Sequence, residues 1–302
     1  MRVSGHESFA CRYAWLPKTL NAVVKSPNLF GDDDLAMVEL GVGKNMVRSM
    51  RFWSEVSGMV TSTDRGYNLA PSELGKQIFG PRGLDRFLED STTLWLLHWK
   101  IATTPNPLLA WDFLLNRWQE TEFSESRVLA AMAKELDAVN RSAKMNTLRQ
   151  HLSIFLLTYL DSRMRRGEDG EDNLDCPLTD LDFVVKIGER EANDSDGKRE
   201  PVYAFRREDK ASISPGLFAY CVNDFWNRRH GGEMTLRAKS VAYDYGSPGQ
   251  VFKIPEQEIY QRLSDLTTTT ENRIIFNDSE ALPQLSRPER VGEDFLLRQA
   301  YN

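Results

Sequence analysis

Cysteine is scarce in this chain of 302 residues, which has only Cys11, Cys176 and Cys221, and no two of them form a Cys-x-x-Cys pair. This scarcity argues against a disulfide framework or a cysteine zinc site and favours a reducing compartment. Long apolar runs are missing too. The most apolar stretch, near residues 94–101, is far shorter than the roughly 20 residues that span a bilayer. We therefore expect a soluble cytoplasmic protein with no signal peptide and no membrane contact.

An excess of positive charge is also missing. The sequence has 38 Lys and Arg against 44 Asp and Glu, a net charge of −6. This balance excludes a uniformly basic protein that coats nucleic acid, but it allows local basic patches. Much of the acidity lies in residues 163–200, and the Gly- and Asp-rich part at about 165–176 is predicted to be a linker between domains.

Three short helical patterns open the chain. The first follows Pro17, the second is predicted over residues 33–40 behind acidic cap residues, and the third over residues 44–56 after a Gly-containing break. β-Favouring residues then flank a turn signal at 64–66, which predicts a hairpin. Three helices followed by a two-stranded hairpin predict a winged helix-turn-helix domain over residues 1–88.

The third helix is predicted to have a basic face with no acid nearby. At about 100° per residue, Met46, Met50 and Trp53 share one side, and the cationic residues lie roughly opposite. The residues proposed to reach phosphates or base edges of DNA are Lys44, Asn45, Arg48 and Arg51, with Arg65 in the wing. Two other interpretations stay open: a basic face that is only solvated, and a winged helix that binds protein.

The rest of the chain predicts helices and a few strands. Residues 89–162 have helical spacing, and His98 and His151 lie beside apolar positions there, so a core role is expected for both. Residues 177–302 contain two strand patterns and a helix that starts at Ser214-Pro215. The predicted fold class is α+β and mostly helical, with an N-terminal winged helix, a helical middle region packed on it and an α+β C-terminal domain.

Familiar catalytic motifs are absent: the sequence has no P-loop, no Gly-x-Ser-x-Gly, no His-Glu-x-x-His and no Rossmann fingerprint. The most unusual cluster near the N-terminus consists of His6, Glu7, Arg12 and Lys18. One interpretation is a phosphodiester site in which Glu7 holds Mg²⁺, His6 acts as general base, and the cations steady a phosphate. The other is a structural arm that ties down the first helix through a His–Glu or Arg–Glu pair.

A magnesium site in this cluster would need more than one carboxylate. Glu7 is the only acid between Gly5 and Lys18, whereas Mg²⁺ is usually held by one or two carboxylates and several waters. Asp32, with its acidic neighbours up to Asp34, and Asp244 are therefore predicted as further ligands.

Several short motifs resemble one bacterial family. They are Gly-His-Glu-Ser-Phe at 5–9 with Arg12, Trp15 and Lys18, Leu-Gly-Val-Gly-Lys-Asn-Met at 40–46 with Arg51 and Trp53, Ile-Ser-Pro at 213–215 with Phe218 and Tyr220, and Ser-Pro-Gly-Gln-Val-Phe at 247–252. On these residues the chain resembles the SspB-like family of bacterial single-stranded DNA phosphorothioation systems, which act in defence against phage. The resemblance runs from about residue 5 to the C-terminus.

The resemblance implies a DNA-nicking component that depends on Mg²⁺. Such a component would give sulfur-transfer and ATP-using partner proteins access to the DNA backbone, where sulfur replaces a non-bridging phosphate oxygen. It carries over no catalytic residue. Two alternatives stay open: a non-catalytic DNA-binding adaptor or regulator that recruits the modification enzymes, and a winged-helix scaffold without DNA contact.

Overall fold

The computed structural model describes residues 2, 4–63, 68–138, 143–161, 176–192, 197–278 and 282–302. The α-helices in these ranges are α1 (Trp15–Lys25), α2 (Asp33–Leu40), α3 (Lys44–Val56), α4 (Glu73–Phe79), α5 (Ser91–Ala102), α6 (Leu109–Asp112), α7 (Glu125–Ala138), α8 (Met145–Tyr159), α9 (Pro215–Arg229), α10 (Ala238–Tyr243), α11 (Pro248–Phe252), α12 (Glu256–Thr269) and α13 (Glu293–Ala300). None of the helices described here combines the length and apolar character that a membrane span requires.

The strands form three small antiparallel sheets. They are β1 (Val60–Ser62), β2 (Leu69–Pro71), β3 (Glu122–Ser124), β4 (Val184–Glu191), β5 (Arg199–Phe205), β6 (Thr235–Arg237), β7 (Ile275–Asn277) and β8 (Gln284–Ser286). β1 pairs with β2, the second sheet has the order β3-β5-β4, and the third has the order β6-β8-β7. The predicted class, α+β and mostly helical, is confirmed.

The chain divides into two compact units. The first consists of residues 1–114 and 119–206, and the second of residues 115–118 and 207–302. The domains expected from the sequence, over 1–88, 89–162 and 177–302, stay a prediction. The linker expected at about 165–176 lies outside the described residues, except for Cys176, whose thiol is buried.

Local capping explains why α2 begins and ends where the sequence predicts. The Oδ1 atom of Asp32 accepts hydrogen bonds from the backbone N–H groups of Asp34 at 3.0 Å and Leu35 at 3.1 Å, which satisfies the first turn of α2. Gly41, at a φ of +59°, ends that helix in the left-handed region. α3 is followed by the antiparallel pair of β1 and β2, in which Thr61 lies opposite Ala70. The classification of these elements as a winged helix stays a prediction.

Aromatic side chains fill the core of the first unit. The indole Nε1 of Trp111 donates a hydrogen bond of 2.9 Å to the hydroxyl of Tyr159, and Nδ1 of His98 lies 2.8 Å from the same hydroxyl. All three side chains are fully buried. A buried polar group needs such a partner, so the core role predicted for His98 is confirmed.

Two helices of the second unit meet backbone to backbone. Ser214 caps α9 by accepting from the N–H of Leu217 at 3.2 Å, as the Ser-Pro start predicts. One residue into that helix, Gly216 lies so close to α13 that an added Cβ would be 2.0 Å from the carbonyl oxygen of Gln299. Only glycine permits this close approach of the two helices.

Candidate nucleic-acid interface and N-terminal arm

The amphipathic character predicted for α3 is confirmed. Met50 and Trp53 are fully buried, and Met46 is partly buried. On the other side the Lys44 and Arg48 side chains are 52% and 48% exposed, and Asn45 is exposed as well. The helix therefore presents two long cationic side chains and one amide to solvent, next to its own N-terminus.

The expectation of a basic face without nearby acids is wrong. The Oδ2 atom of Asp33, on α2, lies 2.9 Å from Nζ of Lys44 and 3.1 Å from NH2 of Arg48. Arg51 is paired within its own helix, with its Nε atom 3.2 Å from Oε1 of Glu55. The sequence window that suggested a purely cationic face excluded both acids, one because it lies on the preceding helix and the other because it lies one turn further along.

These ion pairs are near the surface, which decides how strongly they hold the cations. The hydrogen bond from Lys44 is the main cause that lowers the pKa of Asp33, and Arg48 adds to the effect, so the carboxylate is ionised at neutral pH. Exposed ion pairs contribute little to stability, because water screens them and the side chains lose freedom. An anion with better geometry, such as a phosphodiester, can therefore take over Lys44 and Arg48 from Asp33.

The N-terminal arm lies against the inner side of α3. The Ser49 hydroxyl donates a hydrogen bond of 3.0 Å to the carbonyl oxygen of His6, and the indole Nε1 of Trp53 donates one of 2.9 Å to the carbonyl oxygen of Phe9. Gly5, at a φ of +117°, lies against the Phe52 ring. The arm thus has extensive structural contacts, and the His–Glu or Arg–Glu pair that the sequence suggested for it stays a prediction.

His6 is engaged with a second histidine. Its Nε2 lies 2.8 Å from Nδ1 of His151, on α8, and the side chains of both residues are buried. Burial lowers the pKa of His6 to about 4, and burial together with the neighbouring His6 lowers that of His151 to about 3. Both rings are therefore neutral at pH 7. The core placement expected for His151 is confirmed, whereas its pairing with His6 was not predicted.

The other residues proposed for the phosphodiester site lie around this turn. Glu7 is partly buried and has a φ of +47°, in the left-handed region that is uncommon for residues other than glycine. The guanidinium carbon of Arg12 lies 5.9 Å from the ring centroid of Phe9 and 5.5 Å from that of Trp15, and Lys18 is exposed. The catalytic roles proposed for these side chains stay predictions.

The proposed metal ligands have other partners. Asp32 uses Oδ1 to cap α2, and Oδ2 of Asp244 lies 3.5 Å from Nε2 of His230. In the part of the chain that the structure describes, no three His, Cys, Asp or Glu side chains are grouped so that they could hold a metal ion. Arg65, proposed for the wing, lies outside the described residues.

The sequence matches, over residues 3–301, the family described as "Protein of unknown function (DUF4007)". No curated protein shows significant similarity to it. Among solved structures, the fold is similar to the crystal structure of magnesium ion-bound SspB, with a TM-score of 0.81 and 21% identity, over 98% of this chain and 92% of that one. A second SspB crystal structure gives a TM-score of 0.79 with the same identity and coverage. The SspB-like fold implied by the motifs is confirmed.

Proposed function

This chain belongs to the DUF4007 family and has the fold of SspB, and from these premises we propose that it is a DNA-binding component of a bacterial DNA phosphorothioate modification system that acts against phage. In its finer form, the proposal is a nicking endonuclease that depends on Mg²⁺. A nick would give the sulfur-transfer and ATP-using proteins of the same system access to the DNA backbone.

The observation that carries DNA binding is the solvent-facing side of α3. Lys44, Asn45 and Arg48 project from the first turns of a 13-residue helix whose opposite side is buried. Recognition helices contact base edges mainly through their N-terminal residues, and lysine and arginine near the helix start can reach the flanking phosphates. Because Asp33 is a surface partner, a phosphate can replace it without leaving a buried charge unpaired.

Magnesium enters the proposal through the magnesium ion-bound SspB structure, which has the same fold. Glu7 is the proposed first ligand, and Asp32 and Asp244 are the proposed additional ones. The described residues do not fit a preassembled magnesium centre, because they contain no group of three potential ligands and Asp32 already uses one oxygen as a helix cap. No step of the nicking reaction is therefore derived through the ion.

His6 constrains how a base could act in this protein. Its Nε2 is engaged by His151, so Nδ1 is the only ring atom left to accept a proton, and this atom is buried. With a pKa of about 4, the ring is also a weak base at pH 7. We therefore propose for His6 a positioning role at the turn that carries Glu7, in place of the general-base role predicted from the sequence.

The contacts that hold the N-terminal arm favour a second candidate function, a non-catalytic adaptor or regulator that binds DNA and recruits the modification enzymes. These contacts, two hydrogen bonds to α3 and a histidine pair with α8, give the arm a structural role that needs no chemistry. In that case the α3 face binds DNA and the phosphodiester backbone stays intact.

Two assays on one supercoiled plasmid separate these functions. The purified chain is incubated with the plasmid in Mg²⁺ or in EDTA, and conversion to the open circle is followed on a gel. A gel shift of the same plasmid in EDTA reports binding. Nicking only with Mg²⁺ supports the endonuclease, and binding without nicking supports the adaptor. If the chain neither binds nor nicks the plasmid at low salt, the proposal is overturned in both forms. That result would favour a protein-binding scaffold.

A further inference from the structure

An exposed tyrosine in the second unit has two arginine side chains over its ring. Tyr245 is 38% exposed and lies in the loop between α10 and α11. The guanidinium carbon of Arg229, the last residue of α9, lies 5.1 Å from the ring centroid, and that of Arg117 lies 5.8 Å from it. Arg117 and Arg229 are both exposed. We call Arg117, Tyr245 and Arg229 the arginine–tyrosine cluster.

Hydrogen bonds fix the two segments of the cluster to each other. The backbone N–H of Gly246 donates to Oδ1 of Asn116 at 2.9 Å, so the residues that follow Tyr245 and precede Arg117 are joined directly. The buried ammonium of Lys253 donates to the carbonyl oxygen of Leu115 at 2.7 Å, which ties the same short segment a second time. The cluster is thus held in place before any ligand arrives, which lowers the entropy cost of binding.

A third arginine lies near this ring. The guanidinium of Arg228 lies beside Gly246, 4.0 Å from where a Cβ atom would be, and it also pairs with Asp224 at 2.9 Å. The acid next to the tyrosine in sequence, Asp244, has its Oδ2 atom 3.5 Å from a ring nitrogen of His230. Among the described residues, the surface around Tyr245 thus carries three arginines, and the acids Asp224 and Asp244 have partners of their own.

We infer that the arginine–tyrosine cluster is a second nucleic-acid contact, separate from α3, and that it takes unpaired nucleotides. Guanidinium groups bind phosphodiester oxygens through two parallel hydrogen bonds, and their planar faces stack on bases as aromatic rings do. Exposed aromatic rings among cations are typical of surfaces that bind single strands, because every base has a face that can stack. In a duplex those faces are covered by neighbouring base pairs.

The inference rests on the proposal that the chain binds nucleic acid, but it uses different residues. A duplex is expected to depend on Lys44, Arg48 and Arg51, whereas a single strand is expected to depend on Tyr245 and its two arginines. A variant can therefore lose duplex binding and keep single-strand binding, or the reverse. An acidic protein segment could also meet the arginines, although it would gain little from the neighbouring aromatic ring.

The test measures fluorescence anisotropy of the full-length chain with a labelled 20-nucleotide single strand and with the matching duplex, in EDTA. Tyr245→Leu is expected to weaken single-strand binding about 10-fold, within the roughly 5- to 150-fold that one stacked base contributes, and to change duplex binding less than about twofold. Tyr245→Phe keeps the ring and should stay within about twofold of wild type on both. Arg117→Ala and Arg229→Ala should each reduce the slope of log K against log salt by about 0.7 on the single strand.

Matched controls separate this surface from general damage. Tyr243→Leu removes another exposed tyrosine two residues away, whose hydroxyl donates to Glu256 at 2.6 Å, and should leave single-strand binding unchanged. A chain in which Lys44, Arg48 and Arg51 are all alanine should lose duplex binding and keep single-strand binding. Unchanged single-strand affinity in Tyr245→Leu would overturn this inference but not the proposed function. A polyglutamate peptide that competes as strongly as the unlabelled strand would overturn it too. Loss of both substrates only in the triple variant would place all binding on α3.

Discussion

The Nε2 atom of His6 lies 2.8 Å from the Nδ1 atom of His151, although 145 positions separate the two residues in the chain. The two rings are nearly parallel, with an interplanar angle of 16° and centroids 5.0 Å apart. The outer nitrogens, Nδ1 of His6 and Nε2 of His151, are buried and have no hydrogen-bond partner among the described residues. Because one ring must donate to the other, the pair joins the N-terminal arm to α8 only while at least one of the two facing nitrogens is unprotonated.

The histidine pair makes stability depend on pH. The folded-state pKa values, about 4 for His6 and about 3 for His151, lie below the ordinary value of 6.5. Between the folded-state values and 6.5, the unfolded chain therefore binds more protons than the folded protein. The free energy of unfolding falls as pH drops below about 6.5. Each histidine contributes a slope of up to about 1.4 kcal/mol per pH unit between pH 6 and the folded-state pKa. Above pH 6.5 this stability is fully present.

His151→Phe should reduce the slope of unfolding free energy against pH by about the contribution of one histidine. Urea unfolding of the wild type and the variant at pH 7, 6 and 5 measures it. Parallel pH profiles for the wild type and His151→Phe would contradict the burial of an uncharged pair.

The close contact of Gly5 with Phe52 predicts a sensitive position in the arm. A Cβ atom at Gly5 would lie 2.6 Å from Cδ2 of Phe52, and its φ of +117° is unfavourable for any other residue. Gly5→Ala should therefore lower the free energy of unfolding by about 2–4 kcal/mol, seen as a lower melting temperature in circular dichroism. Gly31→Ala is the control, because no heavy atom lies within 4 Å of its added methyl group. Equal melting temperatures for the Gly5 variant and wild type would mean that the arm is not packed against α3.

The proposal that α3 binds DNA makes Asp33 a competitor for the cations of this helix. If DNA phosphates replace this carboxylate, Asp33→Asn should raise duplex affinity about threefold at low salt, since Lys44 and Arg48 no longer have to leave an acid. Glu39→Gln, an equivalent charge change at another exposed residue of α2, controls for the altered net charge. Filter binding of a labelled duplex compares the three proteins. A weaker complex with Asp33→Asn would show that the carboxylate instead positions the cations for DNA.

Glu7 is the residue on which the proposed chemistry depends most. Glu7→Gln is nearly isosteric, so it should abolish nicking of supercoiled plasmid in Mg²⁺ while duplex affinity stays within about 1 kcal/mol of the wild-type value. Glu73→Gln removes an exposed carboxylate of α4 and should nick normally. Full nicking by Glu7→Gln would remove this residue from the reaction. Loss of nicking together with loss of the folded state would assign Glu7 to the structural arm.

Local signals were sufficient to predict some elements to the residue. α2 has the predicted ends because Asp32 caps its first turn and Gly41 ends it in the left-handed region, both within one turn of chain. β3 shows the opposite case. Its three residues have no strand pattern of their own and are strand only because Phe123 lies opposite Tyr203 on β5. Pairing over such a separation leaves no periodic signal in the sequence.

The candidate sites likewise combine features that local sequence patterns predict with features that only the tertiary fold creates. The basic face of α3 was predictable because it follows from helical spacing, whereas its neutralisation by Asp33 depends on how two helices pack. The pairing of His6 with His151 and the placement of Arg117 beside Tyr245 join residues more than 100 positions apart. A single sequence carries no sign of either contact, since each is created by the tertiary fold.

The central claim, that α3 binds DNA, is tested most directly by the salt dependence of duplex binding in the Lys44→Ala, Arg48→Ala, Arg51→Ala triple variant. Each lost phosphate contact should reduce the slope of log K against log salt by roughly 0.9, so the triple variant should bind more weakly, with a slope lower by up to about 2.7. Lys76→Ala, on α4, should leave both quantities unchanged. Affinity and slope equal to wild type, in a variant whose circular dichroism spectrum is that of the folded protein, would contradict the claim.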